Sequence, residues 1–424
     1  MDPRADRYPF VPGHPPLTIV GATGNYVHTD DGRRILDGAG GAIVNCIGWG
    51  RPEMAEAAAA ALTGTGYALP TFATEARLSL IERLVEHWLP SGMTRCLFVG
   101  GGSESVDSAI RITRQHHVAR GHLDKWKVLG RTVSYHGATL ASLSVSNHDR
   151  RRAGMGPLLM DLPKIDNFDA EQAIKVIEAE DPSTVGAVIA EPVVGASGAA
   201  IVAPDDYWPT LRAYCNDHDI LLIADEVMTG VGRTGRNFGV DHWNVTPDII
   251  VGSKGLAGGY AAIGGVFATD AVVEPLVGTN VMYFTFSGND LSCALADRTL
   301  QILEEENLVA RAAEMGETLR RLLVDRLGSH PNVADIRGLG LLQGIELRDD
   351  SVESAGSFDG TLTPLVIEEA LARDCWIYPA GSAGVPDGLL FGPAYTVTEA
   401  ELEQLVDITA ASIDAAVGRL RAPS

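Results

Sequence analysis

From about residue 95 to 270, short apolar runs alternate with stretches in which apolar residues recur every three to four positions. The runs cover residues 95–99, 127–134, 185–190, 220–224, 248–251 and 263–268, and the helical stretches between them include 103–119, 170–179 and 206–218. Runs that are apolar throughout, rather than at alternate positions, belong to strands buried on both faces, with the intervening helices as cover. The pattern predicts an α/β domain: a mostly parallel sheet flanked by helices. After Asp290 the rhythm changes. Long helical segments at 291–305 and 308–327 lead to short runs at 333–337 and 341–347, a helix near 364–373, a run at 376–378 and a last helix from Thr398 to about Leu420. This predicts a smaller α+β domain. The first sixty residues, with strand-like runs around the turn Thr29-Asp30-Asp31-Gly32, join it. The expected division is 61–300 for the large domain, with 1–60 and 301–424 together forming the small one.

A chain of 424 residues suits two such units. Hydrophobic residues make up 46% and charged residues 21%, the balance of an ordinary globular protein. No stretch approaches the roughly 20 apolar residues needed to cross a bilayer, and the opening residues MDPRADRYPF lack the basic-then-apolar pattern of a secretory signal. A net charge of −22 repels a phosphate backbone and argues against nucleic acid as a partner. Cys46, Cys96, Cys215, Cys293 and Cys375 are scattered and form no CxxC pair, which points to a reducing cytoplasm rather than a disulfide framework. No metal is expected: no ligand spacing stands out, and the adjacent His116 and His117 do not face one centre on a helix.

Ligands of open parallel sheets bind at the carboxyl ends of the strands, and three of the runs end in reactive residues. Leu97-Phe98-Val99 leads into Gly100-Gly101-Gly102-Ser103-Glu104-Ser105 and a helix. Such a turn offers free N–H groups and the positive end of a helix dipole to an anion, although a plain turn with a serine cap fits equally. The run 220–224 ends in Asp225-Glu226-Val227, where a carboxylate is either a site residue or a solvated turn residue. The run 248–251 ends in Gly252-Ser253-Lys254-Gly255, where the lysine taken alone is a surface residue. Together the three supply what pyridoxal 5′-phosphate requires: N–H donors for its phosphate, an amine for its aldehyde, and a carboxylate to keep its ring nitrogen protonated. Tyr135, after the run 127–134, is placed to lie on a pyridine face or to serve as an ordinary core-edge aromatic, and Val227 is placed to close the other face or to be plain core.

At these residues the sequence resembles the class III, or ω-, aminotransferases of the fold-type I pyridoxal phosphate enzymes, from about Asp31 to Glu401. The most specific stretch is Asp225-Glu226-Val227-Met228-Thr229-Gly230-Val231-Gly232-Arg233-Thr234-Gly235. Further matches are Gly101-Gly102-Ser103-Glu104-Ser105, Ser134-Tyr135-His136-Gly137, Glu191-Pro192, Ser253-Lys254-Gly255-Leu256-Ala257-Gly258-Gly259, Phe284-Thr285-Phe286-Ser287-Gly288-Asn289 and Arg337-Gly338-Leu339-Gly340. The resemblance implies that Lys254 is the Schiff-base lysine and proton shuttle, and that Asp225 holds the pyridinium proton. It implies that Gly102 and Ser103 bind the phosphate, that Thr285 reaches the phosphate of a neighbouring subunit, and that Tyr135 and Val227 sandwich the ring, with His136 and Glu191 in the same cofactor set. It also implies a homodimer or dimer of dimers with shared active sites. Ala42, Ile43 and Trp49 fall in a segment that lines the substrate pocket in the family, and each also reads as core packing.

Two family features are missing. Leu390, in Leu389-Leu390-Phe391-Gly392-Pro393, stands where many members place an arginine for a substrate carboxylate, and no Lys or Arg occurs from Asp374 through Gly418. Ala196 stands where members that gate that arginine carry a glutamate after Glu191-Pro192. Without a guanidinium a carboxylate is left poorly paired. The expected reaction moves an amino group from a primary amine or ω-amino donor to a keto acid such as pyruvate, by way of pyridoxamine phosphate. The acceptor's carboxylate then needs a different cation, from another loop or from the partner chain. An aminomutase or decarboxylase would share Lys254 and Asp225. A non-catalytic interaction protein has no need of either.

Overall fold

The structure, a computed structural model, describes residues 17–348, 361–382 and 385–421. Its largest sheet has seven strands in the spatial order Met93–Val99, Gly264–Thr269, Ile249–Gly252, Leu221–Asp225, Val185–Ala190, Lys127–Arg131 and Lys164–Ile165. Every pairing is parallel except the two made by Gly264–Thr269, which runs against both neighbours. Val185–Ala190, Leu221–Asp225 and Ile249–Gly252 are buried at every position. This is why they read as unbroken apolar runs: helices such as Gly102–Ala119, Ala170–Ala179 and Tyr207–Asp217 cover the sheet. The mostly parallel α/β architecture is thus as expected.

The described residues also form a two-stranded ribbon, Val193–Val194 with Ile201–Val202, and two four-stranded sheets. Ile19–Thr23, Tyr26–Thr29 and Arg34–Asp37 form an antiparallel ribbon, joined in parallel by Cys375–Trp376. Val333–Leu339, Leu342–Leu347, Val385–Phe391 and Tyr378–Ser382 form an antiparallel sheet. The run 376–378 is therefore split between two sheets rather than forming one strand. The strand predicted over 127–134 stops at Arg131, because beyond it the Asn167 side chain takes over the backbone: its Oδ1 accepts from the Val133 N–H at 2.7 Å and its amide donates to the Val133 carbonyl at 2.8 Å. We propose the domain division 61–300 against 1–60 plus 301–424 on this basis, since the large sheet draws its strands only from Met93 to Thr269.

One residue of the signature stretch ties these parts together. Arg233 is buried, and its guanidinium donates to the carbonyls of Pro393 (2.6 Å), Leu341 (3.2 Å) and Asn45 (2.8 Å), with the Tyr395 ring 4.6 Å away. Carbonyls from an N-terminal and two C-terminal segments thus converge on a loop that follows the strand Leu221–Asp225. Arg233→Met keeps much of the side-chain volume but strips three buried carbonyls of their donor. It is expected to cost about 3 kcal/mol or more, read as a lowered thermal midpoint. A midpoint unchanged within about 1 °C contradicts this role.

Candidate active site

The carboxyl ends of the strands Leu221–Asp225 and Ile249–Gly252 face the start of the helix Gly102–Ala119 across a cleft of about 280 Å³. Asp225 and Glu226 are consecutive, so strand geometry sends them to opposite sides. Asp225 borders the cleft. Its Oδ2 lies 2.7 Å from His136 Nδ1, and its Oδ1 accepts from the Val227 N–H at 3.1 Å. Glu226 turns into the protein, where it accepts N–H bonds from Gly239 and Val240 at 2.8 Å each and holds the signature loop. Burial pushes its carboxyl up to about 7.

Lys254 follows Ser253 at the end of the neighbouring strand and opens a short 3₁₀ turn, Lys254–Ala257. Its φ of 43° is in the left-handed region, where a side chain costs about 1–2 kcal/mol. The strain falls on the residue that brings an amine to the cleft, a placement typical of working sites. Burial pushes its ammonium down to about 8; the carboxylates of Asp225 and Glu191 act against this, and the guanidinium groups of Arg151 and Arg233 add to it. Glu191 is itself held above the usual carboxylate range by burial. Its oxygens accept the N–H groups of Tyr135 and Gly195 at 3.0 Å each, which fixes the two walls relative to each other.

On the opposite side the helix Gly102–Ala119 begins without a side-chain cap. The nearby Glu104 carboxylate is turned back to the Gly100 N–H at 2.7 Å, and Ser103 Oγ accepts from the Ala138 N–H at 3.0 Å. The N–H groups of the first turn at Gly102 and Ser103 thus face the cleft with the positive pole of an 18-residue helix behind them. A Cβ on Gly102 would come within 2.9 Å of the Val227 side chain, so glycine is what leaves this corner open.

Of the residues expected from sequence, the structure brings Gly102, Ser103, Tyr135, His136, Glu191, Asp225, Val227, Lys254 and Ala42 to this one cleft. It does not bring three others there. Ile43 is buried among Ala39, Val193 and Leu390, and Trp49 donates its indole N–H to Asp37 at 3.0 Å beside Tyr260. Thr285 is exposed, and its carbonyl accepts from the Tyr67 hydroxyl at 3.1 Å. Leu390 is fully buried and apolar, opposite Tyr378 in the strand pairing. Sequence reasoning missed Arg151, Met228 and Tyr378, all of which border the cleft. The signal for Arg151 was the basic triplet Arg150-Arg151-Arg152 in a strongly acidic chain. The linear reading also gave no hint that His117, His122 and Asp219, none of which borders the cleft, bring ligand-type atoms within 4.8 Å of one another. There Arg120 already neutralises Asp219 at 2.7 Å.

An open α/β sheet carrying an amine, a buried carboxylate and a helix start at its strand ends defines an enzyme that works on carbonyl and amino groups through an anionic cofactor. The sequence matches the family of class III aminotransferases over residues 11–413. It is 31% identical over 423 residues to an uncharacterised aminotransferase of Bacillus subtilis, covering 94% of this chain and 95% of that one. It is 30% identical over 418 residues to the putrescine–pyruvate aminotransferase of Pseudomonas aeruginosa, covering 93% and 90%. The crystal structure of an (S)-enantioselective ω-transaminase from Thermomicrobium roseum superposes with a TM-score of 0.89 at 32% identity, over 95% of this chain and 94% of the other. The chain belongs to the class III aminotransferases, which are pyridoxal-phosphate-dependent enzymes.

The cleft fits the cofactor that the family implies. Its uncapped helix start, opened by the bare Cα of Gly102, has the chemistry of a phosphate site. The Asp225 carboxylate, paired with His136, and the Lys254 amine border the same space. Among the described residues no helix is long and apolar enough to cross a membrane.

Proposed function

We propose that this aminotransferase moves an amino group from a primary amine or ω-amino donor to a keto acid such as pyruvate, with Lys254 carrying the cofactor. The observation that supports this most is the convergence of Lys254, Asp225 and the helix start at Gly102 and Ser103 on one cleft. Pyridoxal phosphate supplies the aldehyde that takes up the amino group and a ring that withdraws electrons from the carbon losing its proton. Gly102 and Ser103 hold the phosphate end. Tyr135 and Val227 would hold the ring between them, and Asp225, oriented by His136, would keep a proton at its nitrogen. Lys254 Nζ would hold the aldehyde end of the cofactor and, as a free amine, would take up and return the proton lost by the donor carbon. Glu191 braces Tyr135 from behind.

The donor side of the proposal rests on two substitutions toward apolar groups, Ala196 at the cleft and Leu390 buried behind Tyr378. It also accords with the activity of the Pseudomonas relative, a putrescine–pyruvate aminotransferase, which pairs an amine with pyruvate. Thr285 lies on an exposed stretch with Met282, Tyr283 and Phe286, near the exposed Leu69 and Phe72. An apolar surface of this kind supports a homodimer or dimer of dimers in which Thr285 of one chain completes the other's phosphate site. The test is the spectral change of the bound cofactor on adding single donors without acceptor: unbranched primary amines against ornithine, 4-aminobutyrate and β-alanine. Conversion by the simple amines is expected. Conversion only by the donors that carry a carboxylate removes the simple amine as donor and the role given to Ala196 and Leu390.

The depressed ammonium of Lys254 sets a pH dependence. Only the free amine attacks an aldehyde, and the folded chain holds the group at about 8. Cofactor capture by the cofactor-free protein is therefore expected to speed up as pH rises through about 8 and to level off above it, followed by absorbance after rapid mixing. A rate that stays flat from about pH 7 to about pH 9 contradicts it.

A further inference from the structure

We infer that Arg151 is the residue that binds the carboxylate of the keto-acid substrate. The inference deepens the proposed function and rests on it. Arg151 lies in the short helical turn Asp149–Arg152, whose start is pinned to the strand Tyr378–Ser382: the Asp149 N–H donates to Ser382 Oγ at 2.9 Å. Its two neighbours are committed elsewhere. Arg152 donates to the carbonyls of Leu143, Ser144 and Ser146, and Arg150 has its own partner. Arg151 instead borders the cleft, with its guanidinium carbon 3.9 Å from the centre of the Tyr135 ring and Nη2 3.5 Å from the Tyr378 hydroxyl.

Three features mark it as a receptor for an anion. Among the described residues no carboxylate pairs with it, in a chain where arginines such as Arg33, Arg83 and Arg337 form ion pairs. Its charge is felt at Lys254, where it helps to depress the ammonium, so the two groups lie within electrostatic reach of one small molecule. Its resting place is an aromatic face and a hydroxyl, weak contacts at an exposed position, which a charge-assisted fork to a carboxylate outweighs. The Tyr378 hydroxyl is placed to share the same carboxylate. A donor without a carboxylate leaves Arg151 on the Tyr135 ring, so one cleft takes an apolar donor and an anionic acceptor without leaving the guanidinium partnerless.

The test compares pyruvate with its uncharged ester, methyl pyruvate, as acceptor for the holoenzyme, using whichever donor the panel shows to be converted. In Arg151→Met the KM for pyruvate is expected to rise about 10- to 100-fold, while the KM for methyl pyruvate and the donor half-reaction stay within about threefold of wild type. Arg151→Lys is expected to recover part of the loss, since a point charge replaces a fork. Calorimetric titration with unreactive propionate gives a readout independent of turnover, with binding weakened about tenfold or more in Arg151→Met. Equal changes for pyruvate and its ester, or no change for either acceptor or for propionate, overturn the inference. Failure of the wild-type enzyme to aminate pyruvate at all instead sinks the functional reading on which it rests, and the inference with it.

Discussion

Lys254→Ala is expected to lower transamination by at least about 10⁴-fold. The replaced amine is asked to do two jobs, to anchor the cofactor and to move the proton, and either one carries a large share of such a reaction. The variant is expected to fold normally. Alanine meets the same left-handed backbone penalty that lysine already bears at φ 43°, and the removed atoms face the cleft rather than the core. Two further readouts separate loss of chemistry from loss of structure. Borohydride reduction followed by peptide mapping should place the pyridoxyl label on Lys254 in the wild type and nowhere in the variant. Added methylamine should restore part of the proton-transfer rate, because a diffusible base enters the space the side chain vacates. Retention of a tenth or more of the activity, or a label on another lysine, would falsify the assignment.

The second large effect belongs to Asp225. Asp225→Asn is nearly isosteric, but its single amide oxygen replaces two charged acceptors that now take the Val227 N–H and His136 Nδ1. The ring-nitrogen proton loses its counter-charge. Turnover is expected to fall by about 10²- to 10³-fold, the scale seen when one preorganised electrostatic group is removed from a site. Cofactor retention during gel filtration should fall with it. A variant within about fivefold of wild type in turnover, with its cofactor retained, removes Asp225 from the mechanism.

What was legible in the sequence follows from where the backbone is regular. Val185–Ala190 and Leu308–Leu327 were read to the residue because burial on both faces, or a sustained 3.6-residue period, leaves little choice of boundary. Lys254, Asp225 and the Gly102-Ser103 turn were legible because each lies at the end of a buried apolar strand or within a few residues of it. The substrate side was harder. Around Ala42 the chain passes through positive φ at Gly40, Gly41 and Ile43, so alternation no longer tells which side chain faces the cleft. Ala42 reaches it, while Ile43 and Trp49 turn away. Tyr378 was hidden by a run divided between two sheets. Arg151 is one of three consecutive arginines, and only tertiary contacts distinguish the one that is unpaired among the described residues from its committed neighbours.

The hydrogen bond from Trp376 Nε1 to the Gly41 carbonyl, 2.6 Å long, joins positions 335 residues apart, and the edge strand Cys375–Trp376 pairs with Arg34–Asp37 in the same place. On a ribosome adding about 5–20 residues per second, the early partner waits on the order of 20 to 70 s for the late one. For that interval the nascent chain carries an open ribbon edge and the unburied side chains of Ile35 and Leu36, both interior in the finished molecule. The time of greatest exposure to misassembly, and of greatest need for a chaperone, therefore precedes emergence of residue 376.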